Sequence, residues 1–531
     1  MLRSAAPLHC GQPRKEDTTM QKTGCLCICL LALLAWYQPH TARAADNSTA
    51  AGPAAVDVVS TTHHRIKAGG LSLKYTATAG RLVIADEAGT PKARMFFIAY
   101  EKKGAAPGSR PITFAFNGGP GSSSVWLHFG AIGPRRVLLT DDGSAAPPPA
   151  ALVENACSWL AFSDIVFIDP VGTGYSQALD KKKDAEFYGY KKDIESVGDF
   201  IRLYLTRNKR WLSPKYLVGE SYGTTRAVGL TQYIHGAHGI RLSGIILISP
   251  VLDFNTILLG RSNDLPYVLF LPSYAAAAWY HRQLSDRPAT LEQTLSTAEQ
   301  WALQEYAAAL ARGGSLPPDR RSASAAAMAG LTGLAPRYIL DSNLKVRDRR
   351  FVKELLRSRG RIIGRMDARI TGPDVDTAGA TGTYDPSLDR LFGPFAAAAN
   401  HYVRHDLGFE SDVPYRYLNP KVSRHWDWSS AIHGGQGYVN VSRELSDALN
   451  RNSHLRVFIA CGYYDLATPY FAARYTVNHL DIEHSLRANI TMRFYEAGHM
   501  MYTRKSSLEK LTGDVARFYE CGGSGGSAAG P

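Results

Sequence analysis

Lys215-Tyr216-Leu217-Val218-Gly219-Glu220-Ser221-Tyr222-Gly223-Thr224 is the stretch that decides the fold. A short run of strand-forming residues enters Gly-x-Ser-x-Gly, and apolar residues then recur at helical spacing (Val228, Tyr233, Ile234). Two residues without a Cβ let a strand turn sharply into a helix and leave Ser221 at the tip, the layout of a nucleophile elbow. Alone the motif is weak, since about 0.3 matches arise by chance in a chain of this length. A second match, Gly522-Gly523-Ser524-Gly525-Gly526, has no strand or helix around it. Context must therefore supply a base, an orienting acid and an oxyanion site.

Upstream, Ile112-Thr113-Phe114-Ala115-Phe116 is an apolar strand opening into Asn117-Gly118-Gly119-Pro120-Gly121-Ser122-Ser123-Ser124, a loop in which backbone N–H groups can converge on an anion. Ile165-Val166-Phe167-Ile168 opens in the same way into Asp169-Pro170-Val171-Gly172-Thr173-Gly174-Tyr175-Ser176, followed by a helical face of Ile194, Val197, Ile201, Tyr204 and Leu205. Downstream of the elbow comes Gly244-Ile245-Ile246-Leu247-Ile248-Ser249, closed by Pro250. Continuous apolar strands alternating with helices predict an α/β fold, a doubly wound, mostly parallel sheet covered on both faces. Before it, short runs at Leu71 and Leu73, Leu82 and Ile84, and Met95 to Ala99 predict an antiparallel meander.

Between 251 and 426 the rhythm stops and Ala-rich helical segments (291–312, 395–403) take over, predicting a helical cap inserted over the site. Residues 337–369 hold eleven Lys and Arg against four acids. They read as a solvated cap helix with Phe351, Leu355 and Leu356 facing inward, in preference to a docking patch for an acidic partner. The sheet resumes with Leu455 to Ala460, opening into Cys461-Gly462-Tyr463-Tyr464-Asp465, and with Ile490, Met492 and Phe494, opening into Glu496-Ala497-Gly498-His499-Met500. A last helix carries Leu508, Leu511, Val515, Phe518 and Tyr519. The core is thus expected in two parts, 58–250 and 427–520, around an insertion at 251–426, with a disordered tail at 521–531.

The chain has 531 residues, 45% hydrophobic and 20% charged, with a formal net charge of +13. Five Lys and Arg against two acids lie in the first 44 residues, leaving about +10 for the rest, mostly dispersed. No nucleic-acid reading motif accompanies that excess. From Met20, a basic Lys22, an apolar Cys25–Trp36 core too short to span a bilayer and Ala42-Arg43-Ala44 read as an export signal within 1–44. A disordered linker is expected at 45–57, and the mature chain is expected to be periplasmic or secreted, without a membrane anchor. Cys157, Cys461 and Cys521 remain after the signal, so at most one disulfide can form. No metal or cofactor motif stands out, and none is expected.

Ser221, Asp465 and His499 each follow a strand, and strand ends of a doubly wound sheet share one edge. Their order is that of the α/β-hydrolase triad. A serine hydroxyl needs an imidazole to take its proton, and the imidazole needs a buried carboxylate to fix its tautomer. The Asn117–Ser124, Asp169–Ser176, Gly219–Tyr222 and Gly498–Met500 segments, in this order, resemble the signature segments of the serine carboxypeptidase family, over about residues 90 to 520. The resemblance implies an α/β-hydrolase fold with a helical cap and removal of single C-terminal amino acids from peptides, usually at acidic pH. It implies Ser221 as nucleophile, His499 as base and Asp465 as its partner, with the N–H groups of Gly119 and Tyr222 as oxyanion hole. Asn117 and Glu220 would hold the substrate's terminal carboxylate. Two carboxyls can sit together only if they share a proton, so binding should weaken as pH rises. Where the family often has Trp and eukaryotic members Cys, this chain has Ala115 and Ser122, and it resembles the bacterial branch. Two alternatives stay open: an esterase or acyltransferase on the same scaffold, and a catalytically silent binding protein.

Overall fold

In a computed structural model of the chain, residues 57–106, 108–432 and 437–523 are described, with side chains to 520. The expected export signal, most of the expected linker and most of the tail lie outside them. Among the described residues the main sheet has ten strands. Nine lie on one path: β1 (Val58–Ala68), β2 (Leu71–Ala85), β3 (Pro91–Lys102), β4 (Ile112–Phe116), β5 (Asp164–Ile168), β6 (Lys215–Glu220), β7 (Gly244–Ile248), β8 (Arg456–Gly462) and β9 (Ile490–Tyr495). The spatial order is β1-β2-β3-β5-β4-β6-β7-β8-β9, and Gln177–Ala178 pairs with β3 alone. From β5 to β9 all pairings are parallel, while β1, β2 and β3 form the antiparallel meander and β3 joins β5 antiparallel. Two of the meander's expected runs are one strand, since β2 continues from Leu71 through Gly80 to Ala85.

Every residue of β4, β5, β6 and β7 is buried, as continuous apolar runs covered on both faces require. Alternate residues serve opposite faces: Leu217, Ile245 and Leu247 join one core, Val218, Ile246 and Ile248 the other. The first core receives helix Tyr190–Arg207, whose Ile194, Val197, Ile201, Tyr204 and Leu205 are all buried as its periodicity predicts. The second receives helix Lys505–Gly523 through Leu508, Leu511, Val515, Phe518 and Tyr519. That helix runs past Cys521, so the expected disordered tail begins too early; helical periodicity fades there because Gly522 and Gly523 carry no side chain to mark it.

Residues 251–426 are mainly helical, with Leu265–Tyr280, Leu291–Trp301, Pro318–Thr332 and Pro386–His401 the longest helices. Phe351, Leu355 and Leu356 are buried in the first core, while Leu391, Phe395 and Tyr402 belong to the second, so the block clothes both faces of the sheet. Cys157 and Cys461 are free thiols.

The chain leaves β4 for β5 on one side and returns to β6 on the other. The carboxyl ends of β4 and β6 therefore flank a topological switch point, where an open α/β sheet leaves a crevice.

Candidate active site

At that crevice β6 ends and Ser221 turns with φ 59° and ψ −129° before helix Tyr222–His238 begins. A non-glycine residue at positive φ is strained, and here its surroundings enforce it. A Cβ at Gly219 would overlap the Gly223 carbonyl, and one at Gly223 would stand 2.9 Å from the Phe116 carbonyl oxygen. The elbow thus closes only with small residues on both sides of Ser221, pressed against the end of β4. Gly118 presses from that side, its missing Cβ 2.5 Å from the Tyr222 nitrogen. Neither the Gly119 nor the Tyr222 N–H has a hydrogen-bond partner among the described residues, Tyr222 being at the first turn of its helix.

Asp465 and His499 meet across the ends of β8 and β9. His499 Nδ1 lies 2.7 Å from Asp465 Oδ2, with 1% and 0% of the side chains exposed. Asp465 Oδ1 accepts from the N–H groups of Ala467 (2.7 Å) and Thr468 (2.9 Å), and Oδ2 accepts from Thr468 Oγ1 (2.8 Å). Three donors on its two oxygens fix the carboxylate in plane, facing the ring. Burial works against a charged His499 ring, but the Asp465 carboxylate, its hydrogen bond and Glu220 outweigh it and raise the pKa above the ordinary 6.5. The His499 backbone is fixed too: its N–H donates to the Met366 carbonyl (2.6 Å) and its carbonyl accepts from Ser249 Oγ (2.6 Å).

Ser221 and His499 line one cavity of about 280 Å³, together with Asn117, Gly119, Glu220 and Tyr222. All sequence-predicted site residues but Asp465 therefore face one space, and Asp465 lies behind His499. The Ser221 hydroxyl makes no hydrogen bond to a described residue; such bonds are often long until substrate arrives. Glu220 is fully buried, and burial, with a smaller contribution from Asp465, pushes its pKa up to about 7, against the pull of His499, Tyr502 and Asn117. Its Oε2 and the Asn117 Nδ2 are both buried without a partner in ordinary hydrogen-bond geometry. Asn117 is oriented by its Oδ1, which accepts from the Leu127 N–H (3.0 Å).

A model of the serine carboxypeptidase family matches residues 79–518. The chain belongs to the serine carboxypeptidase family. Among curated proteins, this family member is similar to Serine carboxypeptidase-like 16 of Arabidopsis thaliana, 29% identical over 167 residues, 30% of this chain and 37% of that protein. It also matches Serine carboxypeptidase S10 family member 1 of Dictyostelium discoideum, 26% identical over 170 residues, 31% of this chain and 38% of that protein. Those matches span little more than a third of either relative. Among solved structures it is similar to KEX1(DELTA)P, a prohormone-processing carboxypeptidase from Saccharomyces cerevisiae, with TM-score 0.53 and 17% identity over 85% of this chain and 92% of that one. At that identity the likeness speaks for the fold, which is that of the α/β-hydrolases.

Several residues around the site of this serine carboxypeptidase family member were not legible as site residues. Thr468 bridges Asp465, the Ser249 carbonyl (3.0 Å) and His499 Nδ1 (3.2 Å). Trp126 lines the cavity and donates to Ser122 Oγ (3.1 Å), so Ser122 steers an aromatic wall that Ala115 on β4 does not offer. Beneath the elbow, Arg226 pairs with Asp193 (2.7 Å) and donates to the Asn117 carbonyl (2.7 Å), while the Tyr222 hydroxyl donates to the same Asp193 (2.9 Å). For metals, the described residues hold one group with ligand atoms close together, His401, His405 and Asp406 on the surface, and none of them lines the cavity.

Proposed function

We propose that the chain is a serine-type carboxypeptidase that releases C-terminal amino acids from peptides through an acyl-enzyme. The observation that carries the reading is Glu220: a fully buried carboxyl with no ion pair to a described Lys or Arg, next to an Asn117 Nδ2 without a partner and to Ser221. A general esterase has no need of such a group. A site for a carboxylate does, because a protonated Glu220 and the Asn117 N–H can both donate to it.

In this reading the substrate's last peptide carbonyl sits between Ser221 and the free N–H groups of Gly119 and Tyr222. His499 takes the Ser221 proton as Oγ attacks, and Asp465 stabilises the imidazolium. The two N–H groups stabilise the oxyanion. His499 returns the proton to the leaving amine, and water, activated by the same ring, releases the shortened peptide. Glu220 and His499 each favour charge on the other, so the two titrate as a pair. An arriving carboxylate disfavours Glu220 in its anionic form, which moves the shared proton onto Glu220 and leaves His499 neutral, ready to act as base. Above about pH 7 that proton is lost and binding weakens.

Residues 251–426 are the proposed cap, from which Leu388 on a helix and Ile257, Arg365, Met366 and Leu418 on the connections reach the cavity. The export signal from Met20 to Ala44 supports work outside the cytoplasm, and no described helix is long and apolar enough to cross a membrane.

The deciding assay compares N-blocked dipeptides bearing a free carboxylate with their C-terminal amides, from about pH 4 to 8, in the protein and in Ser221→Ala. Preference for the free acid that fades as pH rises through about 7 and vanishes in the variant is expected. Equal turnover of amides or simple esters would move the chain to the esterase or acyltransferase reading.

A further inference from the structure

Behind Glu220 lies a third buried polar atom without a partner. Tyr502 sits on the turn Met501–Thr503, three residues after His499, with 1% of its surface exposed, and its hydroxyl makes no hydrogen bond in ordinary geometry. The polar side chains facing that hydroxyl are those of Glu220 and Asn117, the same two that carry unpartnered atoms. Three unsatisfied groups rarely collect in one buried place without a shared use. Tyr502 does not line the cavity, so it approaches Glu220 from the wall and not from the substrate's side. Its ring is fixed there: a Cβ at Gly130 would stand 2.6 Å from Tyr502 Cε2, so the helical turn His128–Ile132 is cut back to seat this side chain.

We propose that Tyr502 is a positioning residue, its hydroxyl donating to the Glu220 carboxyl from behind the cavity wall and holding Glu220 toward the substrate's terminal carboxylate. The proposal rests on the carboxypeptidase reading for its purpose and on the buried cluster for its geometry. A phenol is suited to the task, since burial beside Glu220 pushes its own pKa well above the ordinary 10 and it remains a donor throughout. The groups facing Glu220 are His499 and Asp465 from the turns after β9 and β8, Asn117 from the loop after β4, and Tyr502. His499 and Asp465 pull in opposite directions, and Asn117 is shared with the substrate. Tyr502 is therefore the donor committed to Glu220 whether or not substrate is bound. A donor favours the ionised acid, so losing it should let Glu220 keep its proton to higher pH.

Tyr502→Phe keeps the ring against Gly130 and removes only the hydroxyl. In the full chain, KM for an N-blocked dipeptide with a free carboxylate is measured from about pH 5 to 9, alone and in a Glu220→Gln background. The midpoint at which KM rises should move up by about half a pH unit or more in Tyr502→Phe, and Tyr502→Phe should cause no further shift once Glu220 is Gln. An unchanged midpoint, or an equal shift in both backgrounds, overturns the proposal. An infrared titration of the Glu220 carboxyl, with and without Tyr502→Phe, gives the same decision if the variant turns over too slowly. Failure of the parent reading looks different. The unmodified chain would then accept amides as readily as free acids, and the infrared titration would still decide whether Tyr502 holds Glu220.

Discussion

His499 is held by its backbone as closely as by its ring: Met366, Ser249 and Asp465 each take or give one hydrogen bond. Replacing Asp465 by Asn would keep the shape and remove the charge that fixes the tautomer. Asp465→Asn should therefore fold normally and lose about 10³- to 10⁴-fold in kcat with little change in KM, read from steady-state kinetics on a free-carboxylate dipeptide. Asp465 and His499 were legible because each follows an apolar strand, so a polar side chain there must lie at a sheet edge. Arg226 and Asp193 were not. Each sits in a helix that pattern alone assigns to the surface, yet they form an ion pair with 1% and 2% of their side chains exposed. Thr468 and Tyr502 were missed for a related reason: a hydroxyl in a turn reads as an ordinary turn residue until the fold shows what faces it.

At the scale of elements, the strand-turn-helix around Ser221 works by exclusion, each missing Cβ being space another backbone occupies. Gly219→Ala would force the Gly223 carbonyl away. It should cost roughly 3 kcal/mol or more, seen as a lower denaturant midpoint, because backbone cannot yield as a side chain can. Such a turn was legible from Gly219 and Gly223 alone. The length of β2 was not. Its inward residues Leu73, Tyr75, Ala77 and Ala79 alternate with polar Ser72, Lys74, Thr76 and Thr78, and in the sequence Gly80 interrupts the run. The strand continues because it pairs with β1 and β3 together, and Gly80 is needed where β1 comes close, its missing Cβ 2.7 Å from the Val58 carbonyl oxygen.

For the whole molecule, buried titratable groups set opposing pH limits. Glu220 and Asp169 hold protons more tightly in the folded chain, burial raising them from 4.5 to about 7 and from 3.8 to about 6. Their contribution is complete below the unfolded values and is lost as pH rises through the folded ones. His128, pushed by burial from 6.5 down to about 3, contributes above 6.5 and loses it as pH falls. Glu220→Gln removes one ionisation. It should leave stability near pH 4 almost unchanged and raise it at pH 8 by roughly 2 to 3 kcal/mol, measured by denaturant melts at both values. Loss of activity with gain of stability in one variant is what a group kept for substrate binding would produce.

The segment 364–370 reaches from the insertion into the hydrolase core. Besides the Met366 bond to His499, Arg365 accepts from Leu466 (3.0 Å) and Ala368 donates to the Tyr464 carbonyl (3.0 Å), while a Cβ at Gly498 would overlap the Met366 carbonyl. A chimaera that exchanged the other helices of 251–426 would keep His499 in place only if this segment stayed with the turns of Asp465 and His499. One that separated them would lose the hydrogen bond that fixes the His499 backbone.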